Sequence, residues 1–143
     1  MGRILAIDYG TKRTGLAVTD PLRIIAGALE TVPTHTLHDW LAAYFAREKV
    51  DIVVIGKPTQ MNGEPSESMA HIAPFVKKLR AGHPDKQVVY SDERFTSRLA
   101  QRAIIDGGVP KMARRDKSLV DKISATIILQ DYLESREYKE TIL

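Results

Sequence analysis

The chain has 143 residues, 43% hydrophobic and 27% charged, enough for one domain with a sizeable core and too few for two substantial lobes. It has no cysteine, which excludes disulfide frameworks and thiolate metal sites. Its start is too mixed for a signal segment and no run approaches the roughly 18 apolar residues of a membrane span, so a cytoplasmic protein with no membrane partner is expected. A formal net charge of +3 leans towards an anionic partner.

The first stretch, Arg3 to Asp20, reads RILAIDYGTKRTGLAVTD. Ile4 to Ile7 are β-formers ending on the carboxylate of Asp8, Tyr9 to Thr14 form a polar connection, and Gly15 to Thr19 form a second strand, which together predict a β-hairpin. Pro21 to Ile24 make a turn, and Ile25 to Val32 read as a weaker third strand stopped by Pro33, completing an antiparallel meander. Thr36 is placed to cap a helix whose apolar residues Leu37, Trp40, Leu41, Tyr44 and Phe45 recur at three and four. In Val50 to Gly56, the consecutive apolar residues Ile52 to Ile55 predict a strand covered on both sides, hence central and parallel. Lys57 to Ser68 form a long loop at a strand end, a place where loops are often functional.

A helix from Met69 to about Ala81 turns Ile72, Phe75, Val76 and Leu79 inward, with Pro74 in its first turns. Gln87 to Ser91 make a fifth strand running into Asp92, Glu93 and Arg94. Thr96 or Ser97 then caps a helix to Ile105, ended by Gly107, Gly108 and Pro110. Lys111 to Lys117 form a short basic segment, and Ser118 to about Arg136 the last helix. This order predicts a single α/β domain over residues 1–143: a mixed five-stranded sheet, an antiparallel meander plus two parallel strands, with helices on both faces.

Asp8 and Glu93 end the first and fifth strands, at the carboxyl edge where open α/β sheets place their sites. Asp121 lies in the first turns of the last helix, and its neighbours at plus four and plus seven, Ala125 and Ile128, face inward. Taken singly, each acid reads equally as a helix cap, a strand-end charge or half of an ion pair, and Asp92 reads as a partner of Arg94 or a cap. Converging without His or Cys, three carboxylates make a hard oxygen site suited to Mg²⁺ or Mn²⁺. Two such ions activate water and steady the leaving oxygen in phosphodiester cleavage.

Basic groups surround these acids. Arg94, Arg98 and Arg102, spaced by four, share one helix side and either follow a phosphate backbone or form a solvated face. Lys12 and Arg13 lie in the hairpin, Lys57 at the start of the long loop, and Lys111, Arg114, Arg115 and Lys117 before Asp121; each is a candidate nucleic-acid contact. Tyr9 either stacks on a base or packs locally. His35 and His38 read as surface or capping residues.

The combination of Asp8-Tyr9-Gly10 with Lys12, Arg13 and Gly15, Gly56-Lys57-Pro58 with Asn62-Gly63, Asp92 to Ser97, and Asp121 with Ala125, Ile128, Leu129, Gln130, Tyr132 and Leu133 resembles the YqgF/RuvX family of bacterial Holliday junction resolvases or pre-16S rRNA nucleases. The resemblance runs nearly end to end. It implies an RNase H-like fold, divalent metal, a role in maturing the 5′ end of pre-16S rRNA or in resolving junctions, and Asp8, Glu93 and Asp121 as catalytic and metal-binding acids. Lys57 replaces a usual apolar residue and Phe95 a usual Leu, and neither touches the acids. A nucleic-acid substrate is expected, pre-rRNA ahead of branched DNA, with a ribosome-associated role. Monomer and homodimer both stay open, since symmetric junction cutting needs two sites and RNA trimming one.

Two rival classes remain. The Asp8-Tyr9-Gly10-Thr11 hairpin resembles the phosphate-binding hairpin of the actin and sugar-kinase superfamily, whose members need two lobes around the nucleotide. A non-catalytic RNA-binding module on the same fold would have to tolerate three carboxylates beside phosphate, which repel it unless a cation intervenes.

Overall fold

The computed structural model describes residues 2–57, 69–92 and 117–134. Glu93, Arg94, Arg98, Arg102, Lys111, Arg114 and Arg115, the helix expected from 96 to 105 and the whole of the loop after Lys57 lie outside these residues.

Alternation within the strands explains the layers. In β1 (Arg3–Asp8), Leu5 and Ile7 enter one hydrophobic cluster while Ile4 and Ala6 enter another, as period-two side chains must. β4 (Val50–Lys57) repeats this, with Val53 and Ile55 on one side and Ile52 and Val54 on the other. Both strands therefore need cover on both faces, and they lie side by side in parallel. The sheet order is β3-β2-β1-β4-β5, where β2 is Arg13–Thr19, β3 Ala26–Pro33 and β5 Gln87–Asp92. β1, β2 and β3 form the antiparallel meander, and β5 extends the parallel half.

Helices α1 (Leu37–Arg47) and α2 (Met69–Gly82) cover one face with Leu37, Leu41, Tyr44, Ile72, Phe75, Val76 and Leu79. Helix α3 (Lys117–Glu134) covers the other, setting Ala125, Ile128, Leu129 and Tyr132 against Ile4, Ala6, Ala17, Ile52 and Val54. Among the described residues no helix is long and apolar enough to cross a membrane.

Three local expectations shift. The hairpin connection is shorter than Tyr9 to Thr14, because Arg13 and Thr14 pair with Pro33 and Val32 as the start of β2. Thr14 is buried, and its hydroxyl meets that of Thr34 at 2.9 Å. The third strand runs from Ala26 through Pro33, which an edge strand tolerates because a missing N–H costs nothing on the side facing solvent. Thr36 does not cap α1 with its side chain: residues Thr34–Thr36 form a 3₁₀ turn, and the Thr36 hydroxyl donates back to the Pro33 carbonyl at 2.8 Å.

Candidate nuclease site

Asp8 closes β1 at the carboxyl edge. Because Ile4 and Ala6 face α3, residue 8 falls on the α3 side of the sheet. Its antiparallel partner is Gly15. On its other flank Ile7 pairs with Ile55, which sets Gly56 level with Asp8, and Gly56 in turn pairs with Ser91. Across the α3 face the row reads Gly15, Asp8, Gly56, Ser91, so the carboxylate position has no side chain on either flank. Neighbours in such a row stand about 5 Å apart, and both flanking glycines are buried.

Gly15 also determines how Asp121 arrives. A Cβ added at Gly15 would run into the backbone carbonyl of Asp121, so α3 rests its first turns directly on the glycine. Ala125, one turn later and fully buried, keeps the helix close. Asp8 lies beside Gly15 in the sheet and Asp121 lies above it, and the two acids converge on one residue from different elements. The carboxylate of Asp121 accepts a hydrogen bond from Arg13 Nε at 3.1 Å. Arg13 stands two residues before Gly15, on the same face of β2, and its side chain is 40% exposed against 23% for Asp121. The acid on the inner side of the helix thus has a partner, and it is an arginine expected from the sequence to contact nucleic acid.

Two carboxylates that border the same glycine offer hard oxygen ligands of the kind Mg²⁺ and Mn²⁺ take. Among the described residues no group of three or more His, Cys, Asp or Glu stands close enough to hold a metal; Glu93, the third expected acid, lies outside them.

The basic candidates divide. Lys12 is exposed in the hairpin connection, which Thr34 fixes: its hydroxyl donates to the Gly10 carbonyl at 2.6 Å and its N–H to the Lys12 carbonyl at 3.0 Å. Lys57 ends β4 beside Asp92, at the same edge as Asp8 but, by alternation, on the α1/α2 side. Lys117 is the first residue of α3. Tyr9 packs locally, its ring 5.0 Å from that of Phe75, with part of its surface still open. His38 is not a simple surface group: its ring lies 4.9 Å from Phe75, and burial, then the Lys78 and His83 charges, hold its pKa below the usual 6.5. The close approach of α3 at Gly15 is the feature sequence reasoning did not extract. Its signal was glycine inside a strand, which marks close approach of a ligand or another backbone.

Known proteins match this chain. A solved structure of T. thermophilus RuvC in complex with a Holliday junction substrate aligns with a TM-score of 0.57 over 92% of this chain and 94% of that one, at 18% identity. The likeness shows the fold, which is RNase H-like. The family model RuvX, described as Holliday junction resolvase, matches residues 2–135. Proteins named "Putative pre-16S rRNA nuclease" are 62% identical in Porphyromonas gingivalis (94% of this chain, 98% of that protein) and 58% identical in Phocaeicola vulgatus (96% and 99%). Fold and relatives define a nuclease, a hydrolase acting on phosphodiester bonds. The chain belongs to the RuvX (YqgF) family.

Proposed function

We propose that the protein is a Mg²⁺- or Mn²⁺-dependent nuclease that trims a ribosomal RNA precursor, with Asp8, Glu93 and Asp121 as its metal-binding acids. The observation that supports this reading best is the glycine-flanked row at the carboxyl edge, where Asp8 and Asp121 border the same residue. Bound there, a divalent ion supplies an activated water and neutralises charge on the cleaved phosphate. Gly15 lets α3 bring Asp121 down beside the row that holds Asp8. Arg13 and Lys12 hold the backbone beside the acids and carry no sequence information. Precursor RNA is favoured as substrate by the names of the relatives. The second reading, junction cleavage, is favoured by the family description and needs two sites in a dimer.

The test sets precursor 16S rRNA with an extended 5′ end beside a four-way DNA junction, each with Mn²⁺ and with chelator. Cutting of the RNA that stops with chelator is the expected result. Cutting that continues in chelator removes the metal from the mechanism, and a junction cut faster than the RNA replaces the substrate.

A further inference from the structure

On the far side of β1 from Asp8 lies a cleft of about 250 Å³. Tyr9, Phe75 and His38 give it three rings, and Thr34, His71 and Lys78 give it polar atoms. The Phe75 ring is the centre of the group, 5.0 Å from Tyr9 and 4.9 Å from His38. Phe75 is buried, so Tyr9 and His38, both partly open, supply the accessible ring surface. Lys78 and His71 are exposed on α2. No carboxylate lines the cleft among the described residues. The volume falls below the roughly 300–1,000 Å³ that buries a drug-sized ligand, which suits one ring and its charged group and excludes a dinucleotide.

Position adds to composition. Tyr9 follows Asp8 directly, and alternation sends the two to opposite faces of the same strand end. A nucleic-acid strand draped over the carboxyl edge with one phosphate at Asp8 brings a neighbouring nucleotide to Tyr9. Aromatic surface with a nearby cation is the chemistry that holds an unpaired base and its phosphate.

We propose that this cleft is a subsite for one unpaired nucleotide flanking the cleaved bond, its base against Tyr9 and His38 and its phosphate on Lys78 and His71. The proposal rests on the nuclease reading above and requires the substrate to be single-stranded at that point.

The test is fluorescence anisotropy of a labelled single-stranded RNA of about twelve nucleotides, within the span that single-strand grooves cover, with chelator present so that nothing is cut. Tyr9→Ala is expected to weaken binding roughly 5- to 150-fold, the range for losing one stacked base, while Tyr9→Phe binds as the parent does. Lys78→Ala, at an exposed position where folding is not at stake, is expected to weaken binding and reduce the salt slope by about 0.7. Lys77→Ala, exposed on the same helix and outside the cleft, serves as the charge control. The proposal is overturned if the parent does not bind the RNA, if Lys78→Ala matches Lys77→Ala, or if a duplex of the same sequence binds as tightly. Cleavage with Mn²⁺, measured in parallel, separates the two readings. If Tyr9 and Lys78 variants bind like a parent that cuts, the subsite falls and the nuclease stands; if they bind worse than a parent that does not cut, the reverse holds.

Discussion

The two ends of the sheet both carry acids at strand termini, and they treat them differently. At the amino end of β4, Asp51 accepts the Gly2 N–H at 2.7 Å and the Arg23 guanidinium at 3.0 Å. Asp20, just past β2 at that same end, accepts N–H groups from Leu22, Ile24 and Ile25 at 3.2, 2.8 and 2.8 Å. Arg23 takes a positive φ of 59° to make this turn and also donates to the Gly2 carbonyl at 2.8 Å. Here the chain surrounds its carboxylates with its own donors. At the carboxyl end, Asp8 stands between glycines, and Asp121 rests over one of them, paired with a half-exposed arginine. An acid at a strand end is therefore not itself a sign of chemistry. Among the described contacts, the amino-end acids take backbone N–H donors from Gly2, Leu22, Ile24 and Ile25, whereas Asp121 takes the side chain of Arg13.

The largest expected effect breaks that contrast at its centre. Asp8→Asn should lower cleavage by roughly 10²–10³-fold or more, the scale of losing one group that stabilises a transition state's charge. Thermal stability should stay near that of the parent. Cleavage at the parental rate in the same preparation would make Asp8 another structural acid. Next is Gly15→Ala, whose new methyl would meet the Asp121 carbonyl backbone and force α3 outward. Overpacking of this kind costs about 1–3 kcal/mol, read as a drop in melting temperature of roughly 2–4 °C per kcal/mol. A variant as stable as the parent would show that α3 has slack at this point, and the convergence of the two acids would lose its fixed geometry.

Much of the fold was legible because burial on two faces leaves an unbroken apolar run, as in Ile52 to Ile55, and burial on one face leaves a period, as in Leu37, Leu41 and Tyr44. The positions of Asp8 and Asp121 were legible too, from strand end and helix phase. The partner of Asp121 was not. Arg13 and Asp121 are 108 residues apart, and nothing local to either predicts the pair. Thr36 shows a local signal losing to a local competitor, since its hydroxyl has the Pro33 carbonyl in reach. The glycines were visible as letters, but the meaning of Gly56 depends on register with β1, and register is set by the whole sheet.

The amino end offers a test of smaller size. Burial alone would raise the Asp51 pKa, but the Gly2 N–H and the Lys49 and Arg23 charges outweigh it and hold the group below its usual 3.8. The Ile25 N–H, opposed by burial and helped by Ile24 and Leu22, does the same for Asp20. A depressed folded pKa means the unfolded chain binds more protons, so this stabilisation is complete above the ordinary value of 3.8 and disappears as pH falls through the folded one. Asp51→Asn should lower the melting temperature at neutral pH and flatten its fall below about pH 4, leaving cleavage per folded molecule unchanged. An unaltered acid limb would mean that Asp51 is not one of the groups that matter there.

A smaller effect on stability than that of Asp51→Asn is expected where the sequence suggested a nucleic-acid contact in the hairpin. Arg13 and Asp121 form a pair with side chains 40% and 23% exposed, and such pairs contribute about 0–1 kcal/mol. Arg13→Gln should therefore shift the melting temperature less than Asp51→Asn does, while substrate affinity and its salt dependence fall, because the positive charge lost is a partly exposed one beside Asp121. The reverse order, with Arg13→Gln the more unfolding change and RNA binding intact, would make this arginine the carboxyl-end counterpart of Arg23. Asp121 would then be an anchor for α3, and the metal would have to be held by Asp8 and residues beyond it.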